Sequence, residues 1–253
     1  MRFVRAIVLF PALLVGCGGG GGGGGGSNAE RQEAQALLEA CGIEAIVEFL
    51  DAIDVSTSIV DPAAASLPAI QVNNVDQAGG NIAWSLDTGG DPAPELLGVI
   101  QFQDDTGQPA EPPFDLTQFQ AAGLGGFDAV LNQLADGWSV TITVNATPPV
   151  LVLIRTIFTY TGGVVSDVTA NGNIQGLPCG TTFTFTGGTL ADFAGAFPNL
   201  GTNSNYGSPD TTLAGTTDFD GTDTATVECT VDGGTATYRF AVDLGAMTVT
   251  PLP

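Results

Sequence analysis

The chain has 253 residues, of which 27 are acidic, five are arginine and none is lysine or histidine, and its formal net charge is −22. This balance argues against nucleic-acid binding, which needs Lys and Arg to neutralise phosphates, and the missing His and Lys exclude the usual catalytic triads, His-ligated metals and Schiff-base chemistry. A hydrophobic content of 43% is enough for a folded core.

The first seventeen residues have the pattern of an export signal. Arg2 and Arg5 form a short basic start, and an apolar run follows from residue 6 to residue 15. This run is too short for a lasting transmembrane helix, which needs about 20 residues, but it has the length of a signal-peptide core. It leads into Leu14-Val15-Gly16-Cys17, which resembles the lipobox of bacterial lipoproteins.

The resemblance implies a lipid anchor at Cys17. In that family the Cys thiol receives a diacylglycerol, the chain is cut directly before it, and the new amino terminus is usually acylated, so residues 1–16 would be a removed signal peptide. Two or three acyl chains hold a protein stably on a membrane, at about 0.8 kcal/mol per buried CH₂. Gly18, in place of an Asp, implies the outer membrane of a bacterial envelope. The other interpretation is an ordinary secretory signal in which Cys17 occurs by chance.

A glycine tether and one domain follow the anchor. Residues 18–26 are nine glycines, and the composition of residues 17–29 predicts a flexible tether with a reach of roughly 20 Å. Residues 30–253 are expected to form a single α+β domain, in which antiparallel strands dominate.

The domain opens on a helical pattern from residue 30 to residue 54. Apolar residues recur there at steps of three or four, which indicates one helical face; they are Leu38, Cys41, Ala45, Phe49 and Ile53. Gly42 weakens the middle of this helix by about 1 kcal/mol relative to Ala and predicts a bend. We expect the helix to dock on a sheet.

Alternating patterns predict strands from residue 70 onward. Ile82, Trp84 and Leu86 alternate with small polar or Ala residues, and residues 96–103 repeat the pattern. A second helical segment is predicted at residues 115–136, divided by Gly123, Gly125 and Gly126.

From Trp138 to the end, the sequence pattern predicts β-strands almost throughout. The strand at residues 150–161 is apolar on both faces near its start, which predicts a central strand covered on both sides. Residues 190–197 predict a short helix and residues 198–209 a polar loop. A hairpin is predicted around Asp232-Gly233-Gly234.

These elements predict a mainly β fold with some α. We expect a large meandering antiparallel sheet, curled into a half-barrel or open barrel and covered by the N-terminal helix and the inserted helical segment. A two-sheet β-sandwich is the alternative.

Three cysteines remain once Cys17 is assigned to lipid, an odd number for an oxidising compartment. Cys229 lies on an inward strand face, and Cys179 precedes a strand. The prediction is a Cys179–Cys229 disulfide with Cys41 as a buried free thiol, although a pair that involves Cys41 stays open. A catalytic Cys is not expected, because no His is present to lower a thiol pKa.

Few other residues carry chemistry. Asp218, Asp220 and Asp223 alternate around Gly221 and form a weak candidate for a Ca²⁺ site, with a plain turn as the alternative. Asp104, Asp105 and Glu111 are close in sequence, but solvated loop acids explain them better than a catalytic pair does.

The sequence therefore predicts no enzyme, no nucleic-acid partner and no cofactor beyond the possible Ca²⁺. The expected function is a lipid-anchored envelope lipoprotein that acts as a binding or surface-interaction module. Its partner, whether protein, glycan or apolar ligand, is not specified by the sequence. The alternative is a carrier of an apolar or lipid ligand, held in a helix-covered half-barrel.

Overall fold

One antiparallel sheet with a long helix on one face makes up most of the described chain. The computed structural model describes residues 28–60, 70–87, 96–146, 151–175, 180–188, 198–220 and 223–253. Twelve strands lie in the sheet in chain order, each antiparallel to its neighbours. The sheet is not closed. The predicted meandering sheet is confirmed, in its open form, and the sandwich alternative is wrong because there is a single sheet.

The strands follow one another with short turns or longer connections. Gly162 and Gly163 form the tightest described turn, between β5 and β6, and both have positive φ (62° and 77°), which glycine adopts without strain. The strands are β1 Gln71–Asp76, β2 Asn81–Leu86, β3 Leu96–Gln103, β4 Ser139–Ala146, β5 Leu151–Thr161, β6 Val164–Gln175, β7 Gly180–Gly188, β8 Pro198–Gly207, β9 Thr212–Asp220, β10 Thr224–Val231, β11 Tyr238–Asp243 and β12 Thr248–Pro251.

The N-terminal helix extends beyond its predicted bounds at both ends. It consists of α1 (Asn28–Leu37), a π-helical turn (Leu38–Gly42) and α2 (Ile43–Val60). The irregularity lies where the sequence placed a bend. A Cβ on Gly42 would lie 2.8 Å from Leu38 Cδ2, so glycine leaves the room that the Leu38 side chain occupies.

The two faces of the sheet differ in character. We call the face beneath the helix the inner face and the opposite one the outer face. Because side chains alternate along a strand, every second residue points inward. Ile82, Ile100 and Ile142 stand beside one another on the inner face of β2, β3 and β4 and are fully buried. Their outward neighbours are mostly Thr, Asn, Gln and Ser.

Glycine allows the helix and large side chains to approach the sheet closely. A Cβ on Gly172 of β6 would lie 2.9 Å from Cδ2 of Phe49, which is fully buried on α2. A Cβ on Gly98 of β3 would lie 2.2 Å from the indole ring of Trp84. Both large side chains therefore fill space that a larger residue on the sheet would need.

Polar contacts join α1 to the last strands. Arg31 donates to the carbonyl of Leu252, and the side chain of Gln35 donates to the carbonyl of Val249 at 3.1 Å. The Tyr238 hydroxyl donates to the Glu30 carboxylate. These bonds hold the start of the helix against β11 and β12.

The inserted helical segment covers the other end of the inner face. It contains a 3₁₀ turn (Leu116–Gln118) and two single-turn helices, α3 (Phe119–Ala122) and α4 (Asp128–Leu131). Phe127 packs edge-on against Phe102 of β3, with ring centroids 6.0 Å apart, and against Phe119 at 5.1 Å. The predicted division into short helices is confirmed.

Two expectations about strands are wrong. Residues 198–209 were expected to be a polar loop, but Pro198–Gly207 is strand β8, which pairs with β7 and β9. Its polar composition is compatible with a strand because pairing on both sides satisfies the backbone. The strand at 150–161 is central, as predicted, but it is not covered on both faces, since Leu153 is 48% exposed on the outer face.

The predicted hairpin is confirmed, because β10 pairs with β11 from Thr224 opposite Asp243 to Cys229 opposite Tyr238. The predicted helix at 190–197 lies outside the described residues. No described helix is both long and apolar enough to cross a bilayer.

Candidate functional site

The outer face of β3, β4 and β5 carries a shallow depression of about 310 Å³. Six side chains line it, two from each strand, and they combine one cation, two hydroxyls, one amide and two aliphatic groups: Val99, Gln101, Thr141, Thr143, Leu153 and Arg155. We call this feature the Arg155 depression.

Strand register brings these six residues together. Val99 stands opposite Thr143, and Thr143 stands opposite Arg155 on the next strand. Gln101 and Thr141 form the adjacent pair, and side chains of directly opposed residues lie about 5 Å apart. Alternation turns Ile100, Ile142 and Ile154 inward, so the lining residues all point outward.

The lining is held partly by hydrogen bonds. The Thr141 hydroxyl donates to Gln103 Oε1 at 3.4 Å, and Thr141 is 2% exposed, so it forms the floor. Gln101 Nε2 donates to Asn81 Oδ1 at 3.0 Å, which fixes its amide. Val99 is 36% exposed and gives the depression an apolar rim together with Leu153.

Arg155 is exposed and has no ion-pair or hydrogen-bond partner within the described part of the chain. The other two arginines of the domain are engaged. Arg239 pairs with Glu228 at 3.4 Å, and Arg31 bonds to Leu252. The guanidinium of Arg155 therefore offers its donors to solvent or to a partner.

The surroundings of Arg155 are poor in negative charge. The six strands from β3 to β8 contain one acidic residue, Asp167, in a chain that has 27. Asp167 stands opposite Thr159, four residues along β5 from Arg155, which corresponds to roughly 13 Å at 3.3 Å per residue. That separation exceeds the Debye length of about 8 Å at physiological salt.

A second polar cluster lies on the inner face. The Thr217 hydroxyl is 2.8 Å from the Ser204 hydroxyl and 2.8 Å from the Tyr206 hydroxyl. All three residues are at most 1% exposed, and burial raises the pKa of Tyr206. The three hydroxyl groups bond to one another and are shielded from solvent, so we treat the cluster as structural.

The predicted disulfide is wrong. Cys229 is a free thiol that is 2% exposed on the inner face of β10. Burial, and secondarily the Glu228 carboxylate, raises its pKa to about 11, which disfavours the nucleophilic thiolate. Cys41, predicted to be free, is disulfide-bonded. An inward position on a strand suits a buried thiol as well as a disulfide, so the pattern did not distinguish them.

Cys17 and Cys179 lie outside the described residues, as does the partner of Cys41. The other described cysteine is Cys229, which is free, so the sequence leaves only Cys17 and Cys179 as partners for Cys41. The lipid anchor at Cys17 stays a prediction.

The candidate Ca²⁺ site lies partly outside the described residues. Asp218 is exposed on β9, Asp223 is exposed just before β10, and residues 221 and 222 are not described. No group of three potential metal ligands occurs within the described ranges. The Asp218, Asp220 and Asp223 site stays a prediction.

The loop carboxylates have structural roles. Asp104 accepts hydrogen bonds from the Thr106 hydroxyl at 2.6 Å and from the Thr106 and Gln108 amides. These bonds favour the ionised form and lower the pKa of Asp104. Glu111 accepts from the side chain of Gln77 at 3.1 Å.

Comparisons with protein-family models, with curated proteins and with solved structures found no match for this chain. The site therefore has to be interpreted from its own geometry. The sequence reasoning missed the Arg155 depression because the site is assembled across three strands and depends on their register. A charged residue within an apolar strand, in a long acid-free stretch, was the signal that could have found it.

Proposed function

We propose that the protein is a lipid-anchored envelope lipoprotein that acts by binding a partner through the outer face of its sheet. The observation that carries this proposal is the Arg155 depression, where an unpaired guanidinium stands among exposed aliphatic and hydroxyl groups. A side chain with five donors and exposed apolar neighbours is suited to recognition.

A binding role fits the chemistry of the chain better than catalysis does. The sequence has no His or Lys to serve as a base at neutral pH. The described thiol is buried and has a raised pKa. The hydroxyl cluster of Ser204, Tyr206 and Thr217 is buried, and its three members are all hydroxyl side chains. These features support a non-enzymatic module.

The anchor is tested by fractionation. If Cys17 carries the lipid, the mature protein should sediment with membranes and incorporate labelled palmitate. Cys17→Ser should move it to the soluble fraction and abolish the label, whereas the control Cys229→Ser should change neither. Retention of the label in the Cys17→Ser protein would contradict the anchor.

Binding through the outer face is tested by mutating the face as a whole. The triple variant Val99→Thr, Leu153→Thr and Arg155→Thr should fold, because all three side chains are exposed or on the rim. With a photoreactive residue at Ile157, we expect the protein with the wild-type face to cross-link to a partner in cells, and the triple variant to lose these cross-links. Unchanged cross-links would contradict the use of this face.

The carrier alternative needs room between helix and sheet. At Gly172 the helix packs directly on the sheet, because a Cβ there would lie only 2.9 Å from Phe49 Cδ2. Native mass spectra before and after solvent extraction test the point across the whole molecule. A bound mass of lipid size would favour the carrier, and a clean apo mass would favour the packed module.

A further inference from the structure

We infer that the Arg155 depression binds the terminal carboxylate of an aliphatic peptide chain end, such as a partner protein that ends in Leu or Val. This inference rests on the proposed binding function and names the partner chemistry. It follows from the charge, the size and the lining of the site.

The charge of the site favours one carboxylate. Arg155 is exposed and unpartnered within the described chain, and the only acidic residue of the surrounding strands, Asp167, is roughly 13 Å away. A guanidinium binds a carboxylate with two parallel hydrogen bonds. Since the rest of the molecule is acidic, it would repel a partner surface with many negative charges more strongly than a single terminal carboxylate.

The lining supplies the remaining contacts of a chain end. Val99 on β3 and Leu153 on β5 are exposed aliphatic side chains on either side of β4. Thr143 on β4 lies between Val99 and Arg155, and its hydroxyl can bond a peptide group. Val99 and Leu153 lie two strands apart, roughly 10 Å at about 4.8 Å per strand, so the last two side chains of an aliphatic chain end would each cover one of them. The volume of about 310 Å³ is at the small end of ligand sites, which fits one or two residues.

Other partner classes fit less well. Sites for single-stranded nucleic acid present aromatic platforms, and no outward residue of β3, β4 or β5 is aromatic. An anionic membrane surface contributes about 1 kcal/mol for each basic residue near it, and strands β3 to β8 contain one basic residue, Arg155. A peptide terminus uses both the single cation and the aliphatic rim.

The test measures the affinity of N-acetyl-Val-Leu for the full mature protein in nanodiscs of zwitterionic phosphatidylcholine, by ligand-observed saturation-transfer NMR. The matched probe is the same dipeptide with a C-terminal amide, which differs by the charge alone. We expect the acid to bind at least tenfold more tightly than the amide. Equal signals from the two probes, or none from either up to 10 mM, would overturn the inference.

Substitutions of the lining residues test whether the dipeptide binds in the Arg155 depression. Arg155→Gln should weaken binding of the acid at least tenfold without changing the amide, and Leu153→Thr should weaken both. The control Arg239→Gln removes the other exposed arginine, which is paired with Glu228, and should leave binding unchanged. An equal loss for Arg239→Gln and Arg155→Gln would mean a nonspecific charge effect and would overturn the site.

Different experimental results would contradict this inference and the proposed function. If the dipeptide does not bind but the outer-face triple variant loses its cross-links, the face binds a partner of different chemistry and only the chain-end inference fails. If the cross-links also persist in the triple variant, the outer-face function fails as well.

Discussion

At the scale of the residue, the contact between Gly172 and Phe49 determines how closely the helix approaches the sheet. Gly172→Ala would place a Cβ 2.9 Å from Phe49 Cδ2 and 3.0 Å from Ile154 Cδ1. Overpacking of this kind costs about 1–3 kcal/mol. We expect a loss of that size in the free energy of unfolding, measured by urea denaturation.

The control for this prediction is Gly180→Ala. Among the described residues, no heavy atom lies within 4 Å of a Cβ built at Gly180, so the change should be neutral or slightly stabilising. A similar loss at both positions would mean that strand glycines matter for a general reason, not for the helix contact.

Glu48 on α2 is an acidic residue whose environment opposes its charge. Burial raises the pKa of Glu48, and the neighbouring Glu44 carboxylate raises it further. A carboxyl group whose pKa is raised in the folded state lowers the stability of the protein at any pH where the group is ionised in both the folded and the unfolded state. That cost disappears as the pH falls through the folded-state pKa toward the unfolded value of about 4.5.

Glu48→Gln should therefore raise the melting temperature at pH 7 by a few degrees. The gain should shrink as the pH is lowered and vanish near pH 4.5. Glu39→Gln, on an exposed part of the same helix, is the control and should have little effect at either pH. A gain for Glu48→Gln that did not depend on pH would contradict the electrostatic explanation.

At the scale of the element, the π-helical turn contains Cys41, which is disulfide-bonded. A Cβ on Gly42 would lie 3.5 Å from Cδ1 of Tyr206, and Tyr206 stands opposite Thr181 on β7. Cys179 is two residues before Thr181 in the sequence. With Cys17 assigned to lipid, we expect a Cys41–Cys179 bond between the helix and the sheet.

Peptide mapping without reduction checks this prediction. We expect Cys41 in a linked pair with Cys179, and Cys229 as the one thiol that alkylates only after denaturation. Cys41→Ala should lower the free energy of unfolding by about 2–4 kcal/mol, the usual effect of removing a disulfide. A Cys41–Cys17 pair would contradict both this bond and the lipid anchor.

The individual strands show which parts of the fold are determined by the local sequence. Alternating Ile82, Trp84 and Leu86 predict β2 because a strand with one buried face has period two. Strand β8 was missed because Asn, Gly and Ser have low strand propensity, and its place depends on pairing with β7 and β9. The Arg155 depression was missed for the related reason that no single strand contains it.

At the scale of the whole molecule, negative charge is distributed unevenly. The helical rod at residues 28–60 carries seven acidic residues and one arginine, whereas strands β3 to β8 carry one acidic residue. The outer face of those strands is therefore almost uncharged within a strongly acidic protein. This separation leaves the outer face of strands β3 to β8 with much less negative charge than the helix.

The net charge of −22 should also make stability depend on salt. Self-repulsion opposes the compact state, and the Debye length falls from about 30 Å at 0.01 M salt to about 3 Å at 1 M. We expect the melting temperature to rise by several degrees from 10 mM to 1 M NaCl, because the exposed carboxylates are screened. A constant or falling melting temperature would mean that repulsion contributes little.

A comparison of CaCl₂ with NaCl distinguishes general screening of the carboxylates from a specific Ca²⁺ site. If the acidic residues act only through their summed charge, millimolar CaCl₂ should raise the melting temperature no more than NaCl at the same ionic strength. A larger rise with Ca²⁺ that is lost in Asp218→Asn and Asp223→Asn would place an ion at the Asp218, Asp220 and Asp223 turn. Since Asp218 is exposed on β9 and Asp223 is exposed just before β10, an ion bound to both would join the two paired strands.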